Sequence, residues 1–427
     1  MREMKNSEVR WLGMIPKAWD LDKIVSLYSE RSTKVSDRDY PALSVTKQGI
    51  VPQLESAAKT DNGDNRKLIK KNDFVINSRS DRRGSCGISE YEGSCSLINT
   101  VLAPKNNMVN QYYNYLFKTE LFADEFYKWG NGIVDDLWST KWSSMKNIMV
   151  PFPPLKEQRM IADYLDIKCT QIDTIVAKEQ SVIEKLQEYK RAIITNAVVK
   201  GLDLTVEMAD SGIEWIDSIP NHWKINRLIF SAYIRARLGW KGLKADEYTS
   251  EGHPFLSAVN IQNDKLVWED LNFINDNRYD ESPEIKLELG DLLLVKDGAG
   301  IGKCAIVDQL PYGTATTNSS LGVITPYSEL NSMYLYYFFE SAIFQNYISR
   351  IKNGMGVPHL TQGNLKNIMV VIPPYCEQEA IVAYLDDKCS NLDSIILKKQ
   401  TLIDKLIEYK KSLIYEVVTG KKEVPHV

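Results

Sequence analysis

A chain of 427 residues is too long for one ordinary hydrophobic core and calls for two or more domains. Its 44% hydrophobic and 25% charged residues are those of a soluble globular protein, and a net charge of −4 excludes a uniformly basic nucleic-acid binder without excluding a local basic face. The polar start MREMKNSEVRW lacks a secretory h-region, no apolar run nears the ~20 residues that span a bilayer, and six cysteines with four histidines show no zinc spacing; a cytoplasmic protein with reduced, buried thiols is expected.

In chain order, the first element is WLGMIPKAW at 11–19. Short β-rich runs follow, such as FVINS at 74–78, separated by Gly, Asn and Ser turns. Between 66 and 83, seven basic residues (Arg66, Lys67, Lys70, Lys71, Arg79, Arg82, Arg83) face two acidic ones, Asp73 and Asp81. An aromatic helical stretch at 112–129 closes this body, and its rings are expected in the core. PFPPLKEQRMIADYLD at 151–166 then opens a segment with no Pro or Gly from 155 to 200, read as one long helix after a proline entry. Past the linker at 200–212, WIDSIPNHW at 215–223 begins a second body. It carries the basic run Arg235, Arg237, Lys241 and Lys244, the amides Asn260, Gln262 and Asn263, and strands at 292–296 and 321–325. A second aromatic stretch at 334–348 and VIPPYCEQEAIVAYLD at 371–386 lead into a second Pro- and Gly-free helix, 375–419.

The chain is a tandem duplication. The two tryptophan phrases are 204 residues apart, from Trp11 to Trp215, and KNIMV recurs after 220, at Lys146 and Lys366, so the second copy is 16 residues longer. From 153–194 against 373–414, 21 of 42 positions are identical, whereas the bodies share only islands: PALSV with PFLSA, NDFVI with GDLLL, RGSCGI with IGKCAI. Each helix shows apolar residues at alternating steps of three and four, a coiled-coil pattern. The first seam reads Leu165, Ile172, Ile175, Val182, Leu186 and Tyr189; the second reads Leu385, Leu392, Ile395, Leu402, Leu406 and Tyr409. A helix of about 45 residues is roughly 68 Å long and needs a partner for its stripe. Each has one in the other copy. Glu179 opposite Lys399 would make the charged interruptions complementary if the packing is antiparallel.

Catalytic signals fail on inspection. DGAGIGKCA at 297–305 lacks the first glycine and the Ser or Thr of a Walker A loop, having Asp297 and Cys304 there. IPPY at 372–375 lacks the polar first residue of an adenine-methyltransferase loop, and no Gly-rich adenosylmethionine loop follows a strand.

Two variable bodies, each opened by W-x-x-x-I-P-x-x-W and closed by a P-P-x-x-E-Q-x-x-I-x-x-Y-L-D helix, resemble the specificity (S) subunit of type I restriction–modification enzymes, the HsdS family. The resemblance spans the chain. It implies an α+β architecture: target recognition domain 1 at 1–152, spacer helix 1 at 153–200, linker and target recognition domain 2 at 201–372, and spacer helix 2 with the tail at 373–427. The two α/β recognition domains would be separated by two antiparallel helices with pseudo-two-fold symmetry. It further implies a non-enzymatic chain that binds double-stranded DNA through a bipartite asymmetric target. Two methyltransferase (M) subunits would dock on it, and restriction (R) subunits would join through the complex. Adenosylmethionine, ATP and Mg would belong to those partners, with no cofactor or metal held by this chain. The twice-written tryptophan and E-Q-x-x-I segments are the surfaces a common partner would be expected to share.

The DNA-contacting candidates are Lys47, Gln48, Lys70, Lys71, Arg79, Arg82 and Arg83 in the first body. In the second they are Arg235, Arg237, Lys241, Asn260, Gln262, Asn263, Lys296 and Lys303. Guanidinium forks suit guanine and amides suit adenine, while lysines supply phosphate contacts. Each charge taken alone is also compatible with a solvated face. The competing reading is a coiled-coil interaction scaffold that binds no DNA. RNA binding is a third, and no aromatic pair of the kind that stacks bases is evident.

Overall fold

Pro153 and Pro154 separate the strand Met149–Phe152 from the helix Leu155–Lys200, and Pro373 and Pro374 separate Met369–Ile372 from Tyr375–Val418. Proline ends the strand's donor pattern and presets the first helical turn. Gly201 (φ +75°) and Gly420 (φ +70°) stand just past the helix ends, in the left-handed conformation that closes a helix without Cβ strain. The computed structural model describes residues 2–54, 63–132, 138–236, 243, 247–353 and 359–425.

The chain forms two compact units, Met1–Gln180 with Gln400–Val427, and Ser181–Lys399. Each therefore contains one body, one end of its own long helix and an end of the other copy's. In the first unit an antiparallel sheet runs in the order Cys86–Ile88, Phe74–Asn77, Asn99–Pro104, Tyr28–Glu30. The second unit repeats that order with Cys304–Ile306, Leu292–Val295, Leu321–Pro326 and Ala232–Arg235. A three-stranded sheet accompanies each, Gly93–Cys95, Arg66–Ile69, Lys34–Val35 in one and Asn272–Ile274, His253–Leu256, Thr316–Thr317 in the other. The expected aromatic core is present. Tyr112, Tyr113, Phe117, Phe122 and Phe126 in the first unit, and Tyr334, Phe338, Phe339 and Phe344 in the second, are essentially inaccessible. Phe117 stacks on Phe122 at 4.4 Å and Phe339 on Phe344 at 4.3 Å, so each body's helix pair is welded by equivalent rings.

The long-helix segments are antiparallel. In the first unit the Lys410 ammonium donates to both Asp173 oxygens at 2.6 Å; in the second, Lys190 donates to Asp393 at 2.7 and 2.8 Å. Asp393 is Asp173 plus 220, and Lys410 is Lys190 plus 220, so one pair is written twice. Pairs this exposed contribute at most about 1 kcal/mol each; their larger effect is to specify register.

Half of the expected seam is buried and half is not. Leu165, Ile172, Leu385 and Leu392 are buried, and Leu186 and Leu406 are half-buried. Ile175, Val182, Tyr189, Ile395, Leu402 and Tyr409 are 44, 37, 58, 42, 43 and 51% exposed. The inward positions are instead their following neighbours: Val176, Ile183 and Lys190, then Ile396, Ile403 and Lys410. Neighbouring apolar pairs such as Ile175–Val176 and Val182–Ile183 make the stripe two residues wide, so apolarity leaves the heptad phase open. The phase is set at the helix start, where buried Gln158 and Ala162 face the body and the steps count on from there. Glu179 and Lys399 are half-buried, at inward positions. Ile183→Ala should therefore destabilise the protein by about 2–4 kcal/mol, and Val182→Ala by about 0.5 kcal/mol. Equal denaturation midpoints for the two variants would refute this phase.

Candidate nucleic-acid interface

The twice-written motif is consumed inside each unit. The Trp19 indole N–H donates to Glu157 Oε2 at 2.8 Å, and that of Trp223 to Glu377 Oε2 at 2.9 Å. Gln158 accepts from the Val109 backbone N–H at 2.8 Å and donates to Pro153 O at 2.8 Å; Gln378 does the same with Asn331 and Pro373 at 2.8 Å each. The terminal aspartates, Asp166 and Asp386, each accept a tyrosine hydroxyl at 2.6 Å, from Tyr115 and Tyr337. The other copy's helix end is captured too. Tyr112 donates to Val418 O at 2.7 Å, and Tyr334 to Val198 O at 2.9 Å. E-Q-x-x-I-x-x-Y-L-D is thus the clamp that holds body to helix. Its Gln and buried apolar positions, and the Trp19 and Trp223 rings bonded to it, offer little surface to a partner.

A second repeated device removes one expected DNA contact. Arg235 is 8% exposed; its guanidinium donates to both Asp291 oxygens at 2.7 Å, to Thr325 Oγ1 at 2.6 Å and to Lys286 O at 2.7 Å. Arg31 and Asp73 make the counterpart, at 2.7 and 3.0 Å. Both terminal nitrogens are taken by the protein's own acceptors and Nε is buried, so the guanidinium presents no donor to a base. Arg235 is structural. Arg66 is likewise buried, donating to Ser94 Oγ at 2.8 Å, and Lys67 donates to Asn99 O at 2.9 Å. Asn260 is 7% exposed and caps the short turn at Ser257, accepting from its backbone N–H at 2.9 Å. Lys296 is 6% exposed, its stem against Gly322, and burial lowers the pKa of its ammonium. Arg237 and Lys241 lie outside the described residues.

Most of what remains accessible falls on two elements in each body. In the first unit Lys47 and Gln48 form the exposed tip between Leu43–Thr46 and Gly49–Pro52. A Cβ on Gly87 would come within 3.1 Å of Gly49 Cα, so close approach seats this hairpin against the strand Cys86–Ile88. That strand is preceded by the sheet loop 78–85, with Arg79 half-buried and Arg82 and Arg83 exposed. Arg83 is paired with Asp124, and Arg82 lies 3.6 Å from Asp81. Lys118, exposed and beside Gly87, joins this group; only its tertiary position marks it. Lys70 and Lys71 are also exposed but precede Phe74–Asn77, so a whole strand separates them from Arg79. The basic run of the sequence is two groups in space.

In the second unit Gln262 and Asn263 are exposed on the hairpin Ile261–Gln262 and Lys265–Leu266, whose turn residues Asn263 and Asp264 have φ of 49° and 61°. Consecutive left-handed residues make the tight two-residue turn that Asn and Asp tolerate. Lys303 is exposed on the sheet loop 296–303, which corresponds to 78–85. The hairpin strand Lys265–Leu266 packs on Cys304–Ile306, which brings Lys303 to the hairpin. Among the described residues no His, Cys, Asp and Glu cluster could hold a metal ion, and no helix is long and apolar enough to cross a membrane.

Comparison with known proteins places these features. The family model described as type I restriction modification DNA specificity domain matches twice, at residues 28–185 and 240–406. The chain is 23% identical to the MjaVIII type I restriction enzyme specificity subunit of Methanocaldococcus jannaschii over 368 residues, covering 84% of this chain and 81% of that one. It is 22% identical to the EcoKI specificity subunit of Escherichia coli K12 over 362 residues, 83% of this chain and 75% of that one. Among solved structures, a chain reported for the complex assembly and conformational transition of the type I R-M system superposes with a TM-score of 0.73 at 13% identity, covering 96% of this chain and 99% of that one. The HsdS subunit of Thermoanaerobacter tengcongensis superposes at 0.52 and 14% identity, covering 96% and 98%.

Proposed function

Because the chain belongs to the type I restriction–modification DNA specificity family, we propose that its two bodies each read one half of a bipartite, asymmetric DNA target. One observation carries this reading. Apart from Lys70 and Lys71, the accessible candidates of both bodies occupy the same two elements, a hairpin tip and a sheet loop, yet the residues differ: Lys47, Gln48, Arg79, Arg82 and Arg83 against Gln262, Asn263 and Lys303. Equivalent framework with unlike side chains is what two readers of unlike half-sites require. Methylation sequencing of DNA from cells expressing the chain with its methyltransferase should yield two unlike half-sites at one fixed spacing.

The exposed apolar rows support docking of two methyltransferase subunits. Ile175, Leu402 and Tyr409 in the first unit and Val182, Tyr189 and Ile395 in the second recur at heptad spacing on helix faces their own unit leaves uncovered. A helical surface of the partner, offered once per unit, would cover them. Methyl transfer, with adenosylmethionine, and ATP- and Mg-dependent steps fall to the partner subunits, while this chain supplies recognition. Mass measurement of the purified complex should give two methyltransferase copies. Ile175→Asp with Tyr409→Asp should reduce that to one. Two copies retained in that variant would count against this docking surface.

A further inference from the structure

In the second unit a cavity of about 400 Å³ opens beneath the hairpin 261–266, between it, the helix Ser332–Glu340 and the long-helix segments. Glu340 points a carboxylate into it and accepts the Cys304 thiol at 3.3 Å. Asp264, the second turn residue of the hairpin, lines the same cavity, and the Tyr336 hydroxyl donates to its backbone carbonyl at 3.4 Å. We propose that Glu340 is a positioning residue for the hairpin. The tip seats on Ser332–Glu340 only while Glu340 or Asp264 keeps a proton, so that recognition by the second body weakens as pH rises. This rests on the reading that Gln262 and Asn263 contact DNA.

The charges around the pair explain why the proton is needed. The hairpin itself adds Lys265, the sheet adds Lys303 and Cys304, and the turn beyond adds Asp308. The first long helix presents Lys190 and Arg191, and the second presents Asp386, Cys389 and Asp393; Tyr336 and Tyr337 stand on Glu340's own helix. Lys190 lines the cavity and could neutralise the pair, but it already donates twice to Asp393. Burial first, and the Asp264 charge second, push Glu340 up to about 7, while the Cys304 thiol hydrogen bond, then Lys190 and Arg191, pull the other way. Asp264 is raised as well, again mainly by burial.

The sign follows from proton counting. The seated hairpin binds more protons than the lifted one, so seating is fully favoured below the ordinary carboxylate range and is lost as pH climbs through about 7. If the lifted form titrates near an ordinary ~4.5, the lifting equilibrium rises about tenfold between pH 6 and pH 8 and little beyond. The first unit is a built-in control. Tyr112 corresponds to Tyr334 and Tyr115 to Tyr337 by their shared hydrogen bonds, so the residue equivalent to Glu340 is Lys118, beside Cys86. No carboxyl pair forms there.

The test uses the assembled complex with methyltransferase and the duplex defined by methylation sequencing. Amide protection of residues 261–266, corrected for intrinsic exchange, should fall about tenfold from pH 6 to pH 8, and affinity should fall with it. Glu340→Gln, which mimics the protonated side chain, should hold both flat, and Lys118→Gln should leave the slope as in the native chain. A duplex mutated in the second half-site should lose the pH dependence. Protection that does not change with pH, or a slope that survives Glu340→Gln, would overturn the role of Glu340. Protection that shifts while affinity stays constant would instead overturn the hairpin as a DNA contact.

Discussion

Replacing Arg79, Arg82 and Arg83 together by alanine is expected to abolish reading of one half-site and leave the other unchanged. The three sit on the sheet loop 78–85 of the first unit. A bidentate guanidinium–base contact carries about 1–3 kcal/mol of discrimination, so losing even two should weaken specific binding on the order of 100-fold. The salt dependence should flatten as well, its slope falling by up to about three if all three also neutralise phosphates. Gln262→Ala, Asn263→Ala and Lys303→Ala make the complementary set for the other half. Competition binding with duplexes mutated in one half at a time separates the outcomes. Equal loss at both halves, or a methylated motif that proves to be a continuous palindrome, would end the two-reader account.

The largest effect on stability is expected at Arg235, one of the DNA-contacting candidates of the sequence. Its side chain is 9% exposed against an Asp291 side chain that is fully buried. Arg235→Leu leaves that carboxylate without its charge partner in a low-dielectric site, at a cost of about 3–5 kcal/mol. That is a large share of the 5–15 kcal/mol that holds a typical domain. The variant should lose the second unit's cooperative thermal transition while the first unit, with its own Arg31–Asp73 pair, still melts. Arg235→Leu combined with Asp291→Leu should recover much of the loss, because an apolar pair of similar volume removes the stranded charge. A well-folded Arg235→Leu protein with selectively lost DNA reading would show instead that the side chain faces the duplex.

Local chemistry was enough to read the duplication, the ends of both long helices and the aromatic cores. Proline pairs, terminal glycines and uninterrupted helix-forming stretches act within a few residues, so Leu155–Lys200 and Tyr375–Val418 were legible. The family, too, was legible, because two ordered copies of one phrase are specific in a way that one copy is not. Burial was not legible. Arg235 and Asp291 are 56 residues apart, and a cation in a basic run gives no sign that a carboxylate waits for it across a sheet. A sign did exist in the aligned copies, where Asp73 and Asp291 precede matching strands and Arg31 stands 204 residues before Arg235. Likewise Lys70 and Arg79 are close in sequence, but an intervening strand holds them apart.

The sequence by itself determined the two long helices, that two like units exist, and that their bodies diverge. Only the tertiary structure decided which side of each long helix is covered and which cations remain in water. Helix periodicity constrains a stripe but not its phase when Ile175 and Val176, or Val182 and Ile183, are both apolar. The choice falls to contacts distant in the chain: Gln158 seated on the Val109 N–H, and Tyr112 and Tyr334 gripping the other copy's helix end. Those contacts gain free energy only when the whole unit closes, so no window of sequence contains them.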